Sequence, residues 1–142
     1  MKKSNAVSKQ KIDAKKKLGK KIARLRKSQK EEISSRTLAI KVGLSPSNMK
    51  YIEDGVNAPT AEIYAKIVGY LEPKDDLRDE MDSLYTIIRG TPPPDVCDII
   101  IKNKGMNDVL RSLKNKSLSA QQLGMIKELF DSFETETIEG EY

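Results

Sequence analysis

Leu18, Ile22 and Leu25 recur at steps of four and three residues, with Ala23 beside them, while Lys20, Lys21, Arg24, Arg26 and Lys27 take the remaining positions. This is one apolar stripe on a 3.6-residue helix, and it predicts a first helix over 16–29. Ser34 or Ser35 can accept from the free amides of a short helix that follows, and Gly43 can take the left-handed geometry that ends it. Ser45 then offers a second N-cap and Pro46 stands at the first helical position, where a missing N–H costs nothing; the helix over 46–54 stops at Gly55. Thr60 restarts the chain as a helix with Ile63, Ile67, Val68 and Leu71 inward, and Pro73 breaks it. Leu77, Met81, Leu84, Tyr85 and Ile88 mark a fifth helix. The run Pro92-Pro93-Pro94 is stiff and extended, so it forms the clearest boundary. Beyond it lie three helical patterns, over 95–102, 106–113 and 119–133. No segment alternates as a strand does, and the expected fold class is all-α.

Length and composition narrow the function. A chain of 142 residues is one domain, or a small domain with an appendage. It contains no run of about 18 apolar residues, so no bilayer span is expected. Its lysine-rich first residues lack the apolar stretch of a secretory signal, which makes the cytoplasm the expected location. Cys97 is the single cysteine and histidine is absent. Those two facts remove disulfides within the chain, cysteine-cluster zinc sites, Ser-His and Cys-His nucleophiles and every histidine-containing metal site. Binding is therefore expected rather than catalysis, with no metal and no cofactor. Acid pairs such as Asp75-Asp76 and Asp79-Glu80 read as a solvated helix face, and Cys97 as a small buried apolar side chain.

Charge is what points to a partner. Residues 1–70 carry 17 Lys/Arg against 6 Asp/Glu, whereas residues 71–142 carry 9 against 15. A half this basic attracts polyanions, of which nucleic acid is the commonest. A membrane-surface helix would want Trp or Phe on its apolar side, yet Trp is absent and Phe130 and Phe133 both lie in the acidic half. The division expected is a flexible basic tail over 1–15, a DNA-binding domain over 16–72, a helical dimerisation or regulatory region over 73–133 and an acidic tail over 134–142. The tail has two readings: an unstructured leader, or an arm that follows a DNA groove and adds salt-sensitive affinity.

Two short helices joined by a glycine-containing turn make a helix-turn-helix unit. Ala39 lies four residues before Gly43, where only a small side chain lets the helices approach, and Leu38, Val42, Met49 and Ile52 are expected between them. The second helix keeps Ser47, Asn48, Lys50 and Tyr51 outside as candidate readers of base edges in the major groove; Asn48 can pair with adenine and Lys50 with guanine. Ser35 and Arg36 stand at the positive end of the preceding helix, where phosphate is favoured.

The run Leu18-Gly-Lys-Lys-Ile-Ala-Arg-Leu-Arg26, then Leu38-Ala39, Gly43-Leu-Ser-Pro-Ser47, Tyr51-Ile-Glu-Asp-Gly55 and Pro59-Thr60 resembles the Cro/C1-type helix-turn-helix regulators, the Xre family. The resemblance covers about 16–72 and implies a lambda-repressor-like five-helix DNA-binding domain, followed here by a short helical C-terminal region. It implies a homodimer on a palindromic operator in double-stranded DNA, acting as a repressor. It also implies that Asn57 and Thr60 hold a phosphate on the other flank, and that Glu53 turns toward Arg24 or Arg26. Members often carry a long polar side chain where this chain has Pro46, so base reading shifts to Ser47, Asn48, Lys50 and Tyr51. A weaker likeness over 84–113 is to a helical extension of some members, which are relieved by a partner metallopeptidase, another regulatory protein or a ligand. The competing function is a non-enzymatic interaction module, an antitoxin or bridging factor, whose C-terminal half binds a protein.

Overall fold

The computed structural model describes the backbone of residues 2–134 and the side chains from residue 6 to 134. Among these residues are eight α-helices and no strand: α1 (Lys2–Lys27), α2 (Ser35–Val42), α3 (Pro46–Glu53), α4 (Ala61–Leu71), α5 (Asp75–Arg89), α6 (Pro94–Lys102), α7 (Met106–Arg111) and α8 (Ala120–Asp131). None is long and apolar enough to cross a membrane. The chain divides into two compact units, the first ending at Lys102 and the second beginning at Asn103.

In the first unit, α1 to α5 close around one core. Leu18 and Ile22 of α1, Leu38, Ala39 and Val42 of α2, Met49 and Ile52 of α3, Tyr64 and Ile67 of α4, and Met81 and Tyr85 of α5 are all buried together. The caps explain why the helices are cut where they are. Ser34 accepts from the amide of Thr37, Ser45 from that of Asn48 and Thr60 from that of Ile63, each satisfying one orphan donor. Gly43, at φ 78°, turns the chain out of α2 in the left-handed conformation that a Cβ disfavours.

Two expectations change. The segment 1–15 is no separate tail: α1 runs unbroken from Lys2, and Ala14 is already buried in the core. Lysine, alanine and glutamine are good helix formers, and no proline or glycine interrupts the chain before Gly19, so a helix nucleated by the packed Ala14, Leu18 and Ile22 propagates backward. The division at 72/73 also moves. Met81, Tyr85 and Ile88 of α5 share the core with α1, so the first unit extends through the proline run and α6 to Lys102. Arg78 of α5 ties α6 down by donating to Asp95 at 3.1 Å. Cys97, expected to be buried, is half-buried and its thiol donates to the Pro92 carbonyl at 3.4 Å.

In the second unit, from Asn103, α8 opens with a capping box in which Ser119 and Gln122 bond each other's backbone amides. Its apolar side chains stay outside: Leu123, Met125, Leu129, Phe130 and Phe133 are all exposed, as are Val109 and Leu110 around α7. The acidic ending over 134–142 lies, apart from Glu134, outside the described residues.

Candidate functional site

The turn Gly43-Leu44-Ser45 sets α3 against α2, and the geometry of α3 follows from which of its positions are apolar. Met49 and Ile52 are buried, three residues apart, so the positions between and before them on this two-turn helix face away from the core. Ser47, Asn48, Lys50 and Tyr51 are all exposed. They form one polar surface with amide, hydroxyl, ammonium and phenol groups, able to donate and accept hydrogen bonds.

What holds α3 in place is a buried ion pair. Glu53, at its last position, receives Arg26 Nε at 2.6 Å on Oε1 and Nη2 at 3.2 Å on Oε2, and Arg26 Nη1 donates to the Ile33 carbonyl at 2.8 Å. Both side chains are only 9 % exposed. The partner of Glu53 is thus Arg26 and not Arg24, which is exposed. Beside the pair, α1 meets α3 with no side chain between them. A Cβ on Gly19 would lie 2.4 Å from the Ile52 carbonyl oxygen and 2.5 Å from that of Glu53. Gly55, at φ 76°, makes the second approach, since a Cβ there would lie 2.6 Å from Lys16 Cα.

The loop from α3 to α4 is pinned at both ends. Val56 and Asn57 donate their amides to the Tyr51 carbonyl at 2.9 and 3.2 Å. Arg89, the last residue of α5, donates to the Pro59 carbonyl at 3.0 and 2.7 Å and to that of Ala58 at 3.1 Å. An open cleft of about 580 Å³ runs between this loop and α1, lined by Asn48, Asn57, Thr60, Lys11, Lys15 and Arg89 over an apolar floor that includes Ile52 and Ile88. No carboxylate lines it. Three cations with amide and hydroxyl groups around one opening make a place where an anion is favoured.

The residues singled out from the sequence therefore separate. Asn48, Asn57 and Thr60 come together in the cleft; Ser47, Lys50 and Tyr51 share the exposed surface of α3 but do not line it. At the start of α2, Arg36 is exposed, while the Ser35 hydroxyl is buried with no hydrogen-bond partner and is withdrawn from the surface. The exposed cap hydroxyl is that of Ser34, the residue whose side chain caps the helix. Sequence reasoning missed Lys11, Lys15 and Arg89. The first two carried a signal, standing one turn apart in line with Gly19 at the next turn; Arg89 carried none.

Tyr64 and Arg78, which do not line this cleft, are held away from their ordinary protonation behaviour. Burial, then the hydrogen bond and charge of Asp82, push the Tyr64 phenol well above its ordinary value; its hydroxyl donates to Asp82 Oδ1 at 2.6 Å. Burial works against the Arg78 guanidinium, but its hydrogen bonds to Asp82 and the charges of Asp82 and Asp95 outweigh that and raise it. Among the described residues, no three His, Cys, Asp or Glu side chains gather as a metal ion requires. Comparison with protein families, with characterised proteins and with solved structures finds no match to this chain.

Proposed function

We propose that this chain is a sequence-specific double-stranded DNA-binding transcriptional regulator of the Cro/C1 type, a cytoplasmic repressor that occupies a palindromic operator as a homodimer. In this reading α1 to α5 are the five-helix DNA-binding domain, α2 and α3 the helix-turn-helix, and α3 enters the major groove. The observation that carries it is the division of labour on α3. Its buried residues and the Arg26–Glu53 pair anchor it, and Ser47, Asn48, Lys50 and Tyr51 face outward together. Exposed cations stand on both helices that pack against α3, Arg36 on α2 and Lys11 on α1, and are available to phosphates beside a groove. Two turns of helix reach few base pairs, so useful affinity needs two copies on half-sites about one DNA turn apart.

Selection of bound duplexes from a random pool by the purified full chain, at near-physiological salt, tests it. A palindromic consensus is the expected result. Retention of duplex with no enriched sequence overturns base reading by α3, and retention of none overturns DNA binding.

A second reading, the interaction module, is favoured by the exposed apolar side chains of residues 103–134. It is distinguished by the same selection, because a module that binds DNA only incidentally enriches no palindrome.

A further inference from the structure

We infer, resting on the DNA reading above, that the lysine-rich first half of α1 is a second backbone-binding element, in which Lys11 and Lys15 hold phosphodiesters of the duplex that α3 reads. Lys11, Lys15 and Gly19 are spaced four residues apart and so share one face of α1. Gly19 is the point where that face touches α3, backbone against backbone, and the approach of Gly55 to Lys16 is a second fixed point. From these two contacts the stripe continues toward the N-terminus into the cleft that Lys11 and Lys15 share with Asn48, Asn57 and Thr60.

Neither lysine is engaged by an acid among the described residues, and the cleft offers no carboxylate to neutralise them. Arg89 adds a third positive charge behind the loop. Upstream, α1 carries no acid in its first turn either. A neutral or cationic partner relieves none of this; a strand of singly charged phosphates, with one ammonium to each, relieves all of it. Asn48 joins the cleft to the exposed face of α3, so a strand lying there belongs to the same duplex whose base edges that face meets.

The test compares the full-length parent with K11A/K15A, with the charge-matched K17A/K20A on other faces of the same helix, and with K11R/K15R. Alanine raises helix propensity at these positions, so the fold is kept. Affinity for the selected operator and for a scrambled duplex is measured from about 50 to 200 mM salt, where each phosphate neutralised adds about 0.9 to the log–log slope. K11A/K15A is expected to flatten the slope by about 0.9 for each lysine, equally on both duplexes. K17A/K20A should flatten it by less than half as much, and K11R/K15R should leave it as in the parent. A parent that binds its operator while K11A/K15A leaves the slope unchanged overturns this inference and spares the DNA reading. Equal flattening by the two alanine pairs also overturns it, by showing diffuse attraction in place of a site. A parent that binds no duplex overturns both.

Discussion

Arg26 and Glu53 are each about nine-tenths out of water and joined by two hydrogen bonds, so neither can lose its partner cheaply. Arg26→Ala strands a buried carboxylate and is expected to cost about 3–5 kcal/mol in urea unfolding, while an apolar pair at both positions costs far less. A loss below about 1 kcal/mol for the single variant would mean that the pair does not hold α3 to α1. Glycines supply a paired test. In Gly19→Ala the gain of up to about 1 kcal/mol in helix propensity is outweighed by the clash with two carbonyl oxygens, and a net loss of stability is expected. Gly69→Ala, with nothing within 4 Å of its Cβ, should gain about 0.8–1 kcal/mol. Tyr64 predicts the alkaline side of the stability curve. Its folded phenol keeps a proton that the unfolded phenol loses from about pH 10, so unfolding releases a proton and stability falls as pH rises above that point, by about 1.4 kcal/mol per unit. Tyr64→Phe should flatten that fall; an unchanged slope would mean the phenol titrates normally. At this scale the sequence was partly readable. The inward turn of Glu53 came with the family resemblance, but the choice of Arg26 over Arg24 depends on which face of α1 meets α3, and periodicity alone left the fully buried Tyr64 off the list of core positions.

Helices were the most legible level, because caps and breakers act locally. Ser34, Gly43, Ser45 with Pro46, Thr60 and Ser119 each mark an end within a residue or two of where the backbone turns. The one large miss, the N-terminal half of α1, follows from the same logic: that segment has no apolar stripe of its own, and its helicity is inherited from the packed half. On the DNA reading, α2 and α3 then separate by experiment. Lys50→Ala with Tyr51→Ala should narrow the gap between operator and scrambled duplex, with each lost base contact worth about 1–3 kcal/mol. Arg36→Ala should weaken both duplexes alike and flatten the salt slope by about 0.9. Binding titrations on both duplexes check this, and equal effects of the two sets on scrambled DNA would reverse the assignment.

Over the whole molecule, burial and charge divide differently along the chain. Every buried apolar side chain among the described residues falls between Ala14 and Pro93, whereas from Asn103 onward none is buried, although Val109, Leu123, Leu129, Phe130 and Phe133 are there to be covered. The sequence pattern revealed those stripes but not their partner, since periodicity records only that a face is apolar. Local stability should follow burial. Amides at the buried positions of α1 to α5 are expected to exchange with solvent only through global unfolding, and those of α7 and α8 quickly at low protein concentration. If the homodimer forms through the C-terminal helices, protection in α8 must rise with protein concentration while that of the core helices stays level, because a second copy covers the first by mass action. Exchange in α8 that is fast at every concentration, in a protein that still binds a palindrome as two copies, would move the dimer contact out of residues 103–134 and leave those apolar faces to a different protein.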